Sequence, residues 1–306
     1  MLSIWTQDAG QRGTGKRIPS KTYIKQKNPF WITVKEGYEE AAREFGVHVD
    51  VLSAPKEDDV NSQLEAMQTI LAKDYHAIAV SPITPYNLVP GVAEATQKGI
   101  PVVAVGTSMD VQAAEEAGAR IEAFITSDFA KQGELGAQFI IEKIGSGKVA
   151  IIEGLPGAAQ GEARKDGARR AFESNNNIEL VSVQPGNWDR KTAYDITADL
   201  IQAHPELKGI FCANDVMALG AVEALQAAAK KEQVVVVGVD FIEEAGESIR
   251  RGELDATVAM SPFLFGKGGL ILALKVLEGH ELQDDIYWSP LGLVHGENLE
   301  AFSGWR

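Results

Sequence analysis

From Asn28 onward the chain alternates between two patterns of apolar positions. Short apolar runs stand at 47–52, 77–80, 100–105, 148–154, 178–183, 209–213, 234–240 and 256–260, and some, such as Val234 to Val237, are apolar at every position. Longer stretches repeat apolar residues three and four apart, at 31–45, 58–73, 87–98, 128–144, 160–175, 190–203, 215–229, 243–251 and 264–279. A period near 3.6 predicts helices, and an unbroken short run predicts a strand covered on both faces. Strands alternating with helices predict an α/β fold of βαβ units, with parallel sheets and helices on both faces.

The alternation has two halves. One set of elements closes near 123–129 and a second near 258–262, so each half has the size of an ordinary domain. Ligands of such sheets bind beyond the carboxyl ends of the strands. Standing there are Ser81, Gly106-Thr107, the segment 153–164 that ends in Arg164, Trp188, Asn214-Asp215 and Asp240. Asn28-Pro29-Phe30-Trp31 precedes the first helix. Aromatic faces suit the C–H faces of a sugar ring, and Arg, Asn and Asp offer hydrogen bonds of fixed geometry to hydroxyls.

Each residue also has a plainer reading. One of Asn214 and Asp215 caps the helix that follows, which leaves the other to point past the strand end. Trp188 fits a loop anchor, and Arg164 fits a solvated face beside Lys165, Arg169 and Arg170. Asp240 ends a buried strand, where a carboxylate needs a partner. Their common placement is what favours a binding site.

Composition narrows the classes. The 306 residues are 45% apolar and 24% charged, as in an ordinary globular protein. A net charge of −14 disfavours a nucleic-acid surface. The single cysteine, Cys212, excludes an internal disulfide and a cysteine metal cluster, and no metal or cofactor is expected. No apolar run has the length of a membrane-spanning helix. In "GSGKV" (145–149), Val149 and Glu142 stand where a phosphate loop needs a hydroxyl residue and a glycine. The five histidines lie outside the strand-end set, so no catalytic residue is assigned.

The motifs "NPFW" (28–31), "GLPGAAQGEAR" (154–164), "NWDR" (187–190), "CANDVMALG" (212–220), "VVGVD" (236–240) and "GELDATVAMSP" (252–262) occur in one order along the chain. In that order and spacing the chain resembles the periplasmic sugar-binding proteins of ABC transporters, and most of all their ribose and allose binders. The resemblance runs from Asn28 to about Val294, nearly nine-tenths of the chain. It implies a type I periplasmic binding fold: two Rossmann-like lobes joined by three hinge strands, with a monosaccharide clamped between them. The lobes would be 21–125 plus 261–287 and 126–260 plus 288–306, with hinges near Thr126, Met260 and Tyr287.

By the same resemblance Phe30 and Trp31 stack on one face of the ligand and Trp188 on the other. Arg164, Asn214 and Asp240 bond its hydroxyls, Asn28 contributes from the opposite lobe, and Asp215 is then the helix cap. The implied partners are a small sugar, deoxysugar or polyol and a membrane permease. The implied compartment is the periplasm, and a monomer is expected. A chemoreceptor partner is compatible with this reading. A sugar-responsive LacI-like transcription regulator is disfavoured, because only 27 residues precede Asn28.

Two departures bear on the ligand. Where the family usually has Asp after the strand ending at Val105, this chain has Gly106 and Thr107; where it has Gln, this chain has Met260. A ligand with fewer or differently placed hydroxyls than ribose or allose is therefore expected. The segment 17–27 also departs from the family's apolar first strand, with Pro19 among basic residues. Residues 1–20 are expected to be poorly ordered and 21–26 to pair weakly. Residues 1–27 lack the apolar block of an export signal, and a start that differs from the natural one would account for both features.

Overall fold

A computed structural model of the chain describes residues 2–6, by their backbone, and 28–302. It divides into two units, 1–126 with 262–289 and 127–261 with 290–306. The chain passes from one to the other at Thr126/Ser127, Ser261/Pro262 and Ser289/Pro290.

The first unit opens with β1 (Leu2–Thr6), α1 (Pro29–Phe45), β2 (His48–Leu52), α2 (Val60–Leu71) and β3 (Ala77–Val80). It continues through α3 (Val89–Gln97), β4 (Val102–Val105), α4 (Val111–Glu116) and β5 (Ala123–Thr126). The second unit holds α5 (Phe129–Ile144), β6 (Gly147–Glu153), α6 (Ala159–Glu173), β7 (Ile178–Pro185), α7 (Arg190–Ala203) and β8 (Leu207–Cys212). Then come α8 (Asp215–Ala227), β9 (Val235–Asp240), α9 (Glu243–Arg250) and β10 (Ala256–Ala259). The chain returns to the first unit for α10 (Pro262–Leu277) and β11 (Ile286–Trp288), and β12 (Gly292–His295) completes the second.

The first sheet has the order β11-β5-β4-β3-β1-β2 and the second β12-β10-β9-β8-β6-β7. Pairing is parallel except for β12 against β10 and for β1. Ile78, Val102, Val103, Ile151, Ile210, Phe211 and Val236 are all fully buried, as strands covered on both faces require. In the first unit Met67, Leu88 and Val92 cover one side of the sheet. On α1 and α10, a β-carbon on Gly37 would fall 2.1 Å from the Phe263 carbonyl oxygen, and one on Gly266 1.9 Å from that of Val34. The bare glycines let these two helices touch backbone to backbone.

The first strand differs from the sequence expectation. The strand between β3 and β2 is Leu2–Thr6, within the stretch read as poorly ordered, and it runs antiparallel to both neighbours. Ile4 stands opposite Asp50 on one side and Ile78 on the other. "LSIWT" has no proline to interrupt a ladder, whereas Pro19 withholds a backbone donor wherever it stands. Residues 7–27, with the expected weak strand at 21–26, lie outside the described residues. Three short elements carried too little pattern to be foreseen: α4, β11 and β12.

Candidate functional site

In the second unit β7, β8, β9 and β10 point the same way, so their carboxyl ends share one edge of the sheet. Asp240 is the last residue of β9, Asn214 follows β8, Met260 follows β10 and Trp188 follows β7. Arg164 reaches the same edge from α6. A β-carbon on Gly133 would fall 1.9 Å from the Arg164 carbonyl oxygen, and one on Gly167 2.0 Å from that of Ala130. These glycines let α5 and α6 pack at backbone contact, which brings the Arg164 side chain over the sheet edge.

Every branch of that guanidinium is engaged. Nε donates to Gln132 Oε1 at 2.7 Å, Nη1 to the Ala213 carbonyl at 2.8 Å and Nη2 to Asp240 Oδ1 at 3.0 Å. Its carbon centre also stands 5.5 Å from the centroid of the Phe129 ring. Arg164 is only 4% exposed, so the solvated-face reading does not hold. Burial pulls its pKa down, and the Asp240 carboxylate opposes that shift. Gln132, fully buried, is a residue that sequence reasoning missed; its Nε2 donates to Ser127 Oγ at 3.1 Å and to Met260 Sδ at 3.0 Å. The signal available was a polar residue in the first turn of an otherwise apolar-faced helix.

The cap falls to Asn214, not to Asp215 as expected. Asn214 Oδ1 accepts from the Met217 amide at 2.9 Å, so Asn214 is the cap of α8. Asp215 is fully buried; its Oδ1 accepts from Thr257 Oγ1 at 2.6 Å and its Oδ2 from the Ile242 amide at 2.9 Å. Thr257 Oγ1 in turn accepts from the Phe241 amide at 3.3 Å. The physical reason is position: Asn214 has the extended backbone of a capping residue, while Asp215 is already inside the helix and faces the sheet. Burial, and then the neighbouring Asp240 charge, push the Asp215 carboxyl well above the usual carboxylate range.

Those bonds hold a strained turn. Asp240 has φ 112° and Phe241 φ 61°, and Asn187 and Trp188 have φ 54° and 60°. Among the described residues Ala229 is the only other non-glycine in the left-handed region. Such conformations persist where surrounding contacts over-determine them, and they gather at binding sites. The Trp188 indole lies on bare backbone: a β-carbon on Gly154 would fall 2.0 Å from its Cη2.

The first unit carries its own group. Asn28 caps α1 through its Oδ1, which accepts from the Phe30 amide at 3.0 Å. Its Nδ2 donates to Glu57 Oε1 at 2.7 Å, and Trp31 Nε1 donates to Glu57 Oε2 at 3.4 Å. Phe30 meets Trp31 edge-on at 5.0 Å and Phe265 at 6.2 Å. Thr107 Oγ1 donates to the Pro82 carbonyl at 2.9 Å and lies 3.1 Å from Ser81 Oγ. Buried Gln63 ties the same loop through the Ser81 carbonyl at 2.9 Å and the Ile83 amide at 3.0 Å. Asn28 and Trp31 therefore converge on Glu57 with Phe30 packed beside Trp31, and Thr107 belongs to a separate loop network.

Neither set contains an activated nucleophile. The one cysteine is buried in the core, where burial pushes its thiol far above the ordinary range. Among the described residues no three His, Cys, Asp or Glu side chains gather as a metal site. What both sets offer is aromatic surface bordered by fixed donors and acceptors.

Known proteins share the fold and much of the sequence. The profile of the periplasmic binding protein domain family matches residues 22–281. The D-allose-binding periplasmic protein of Escherichia coli is 44% identical over 80% of this chain and 79% of its own length. An ABC transporter periplasmic solute-binding protein from Actinobacillus succinogenes, solved with bound D-allose, superposes with a TM-score of 0.86. It is 32% identical and covers 90% of this chain and 96% of that one. A solute-binding protein from Agrobacterium vitis, solved with bound D-fucose, gives 0.84 at 27% identity, over 90% and 93% of the two chains.

Proposed function

The chain belongs to the periplasmic binding protein family, and from that premise we propose that it captures a small neutral sugar, deoxysugar or polyol and hands it to the membrane permease of an ABC transporter. The observation that carries this reading is the Arg164–Asp240 pair with Gln132: a charge-balanced, buried polar array at the carboxyl ends of the second sheet. Such an array aims hydrogen bonds in fixed directions at hydroxyls without demanding a charged guest. In the proposal Trp188, Arg164, Asn214 Nδ2, Asp240 and Met260 meet the ligand from the second unit. Asn28, Phe30, Trp31 and Thr107 meet it from the first.

Closure on the ligand is the signal the permease would read, with the three chain crossings absorbing the motion. The protein works in the periplasm, as a monomer. No catalytic step is part of the proposal, and the family and these relatives are binding proteins. A binding partner of the folded state raises its melting temperature by mass action. A thermal-shift panel of pentoses, hexoses, deoxysugars, polyols and sugar acids tests the class. The neutral compounds are expected to give the shifts, and a response confined to sugar acids would contradict the proposal.

A further inference from the structure

Glu57 stands outside every motif that pointed to a sugar site, yet two of the residues assigned to that site converge on it. The capping bond to Phe30 fixes which way the Asn28 amide faces, so Nδ2 is the end that meets Glu57 Oε1. Trp31 brings the N–H edge of its indole to Oε2. All three side chains are half-buried. Among the described residues no lysine or arginine forms an ion pair with Glu57. Burial accordingly raises its pKa, ahead of the lowering effect of the bonds from Asn28 and Trp31.

Each carboxylate oxygen can accept two hydrogen bonds, and from the described residues each accepts one. A partly buried carboxylate whose donors among the described residues are both neutral, and which has acceptor capacity to spare, can take a further donor. Its place at the rim of the Trp31 indole decides which donor fits. A ring lying on the indole face projects its hydroxyls outward over that rim.

We propose that Glu57 is a ligand-contacting, specificity-determining residue, whose carboxylate accepts a hydrogen bond from a hydroxyl of the sugar lying on Trp31. This deepens the sugar-binding reading and rests on it. It supplies from the loop before α2 a carboxylate acceptor in a unit where Gly106 stands in place of the family's aspartate. It also makes the recognised group a donor, so that a ligand carrying a carboxylate or ether oxygen at that position is rejected.

A cycle of Glu57→Gln against ligand hydroxyls separates contact from support. The probes are D-allose and its monodeoxy derivatives, titrated calorimetrically to tens of millimolar into the parent protein and E57Q. One deoxy derivative is expected to bind the parent about tenfold or more weakly than D-allose, and to lose much less than that against E57Q. A purely supporting role would weaken all the compounds alike, so equal deoxy penalties in both proteins would overturn the proposal while leaving sugar binding intact. No binding of D-allose, D-ribose, D-fucose or myo-inositol to the parent would overturn both. Unchanged α-helical circular dichroism and cooperative melting in E57Q confirm that the comparison is between folded proteins.

Discussion

Arg164 and Asp240 form an ion pair 3.0 Å long with side chains 4% and 7% exposed. Removing one member of such a pair strands the other charge in the interior, which costs about 3–5 kcal/mol. Asp240→Ala is therefore expected to lower the free energy of unfolding by that amount in denaturant titrations without any sugar. Asp240→Asn should lose less, because an amide oxygen still accepts from the guanidinium. A loss below about 1 kcal/mol for the alanine variant would mean that the pair is weaker or wetter than its geometry implies. Sugar affinity should fall by roughly 2 kcal/mol or more in the same variant. An unchanged dissociation constant would remove Asp240 from the ligand's partners.

Asp215 sets a pH dependence whose sign follows from its raised pKa. A carboxyl that holds its proton more tightly when folded contributes stability in full below the unfolded pKa, near 4. That contribution fades as pH rises through the higher folded pKa. Asp215→Asn cannot ionise, so the parent's advantage over it should shrink between acid and neutral pH. Melting temperatures of both proteins from pH 4 to 8 measure this directly. A constant difference across the range would refute the assignment.

Gly154 makes room for the Trp188 indole, and a methyl group there would overlap it. Gly154→Ala should move Trp188, change the near-ultraviolet circular dichroism and weaken sugar binding at least tenfold. A variant with parental spectrum and affinity would show that the indole has another resting place.

The departures from the family's sugar contacts predict weak binding of D-allose and D-ribose, with dissociation constants above the micromolar range. They also predict a gain. Gly106 has φ 74°, a region that Asp enters more readily than most residues, and a β-carbon there would meet nothing nearer than Ser81 Oγ at 3.6 Å. Gly106→Asp should therefore fold and should strengthen D-allose binding by about 1–3 kcal/mol, the value of one satisfied buried hydroxyl. Weaker binding would mean that the missing carboxylate is not what limits affinity.

The pattern of apolar runs located the long helices and the buried strands, because burial on both faces leaves no polar position to confuse the period. It could not reveal β11 and β12, which are short and partly exposed, nor α4, with a single buried residue. The motif order led to Arg164 and Asp240, since both stand at a strand end or reach one from a helix. Roles within Asn214-Asp215 were beyond it: either residue type can cap, and backbone conformation alone decided between them. Gln132 and Glu57 were missed for a related reason. Their importance lies in contacts 32 and 29 residues away in sequence, with Arg164 and Asn28.

The most direct test of the account is titration calorimetry of the intact protein with D-ribose, D-allose, D-fucose and myo-inositol in turn. Saturable binding at one sugar per chain is predicted for at least one of them. Flat titrations with all four, carried to tens of millimolar on protein that melts cooperatively, would contradict it.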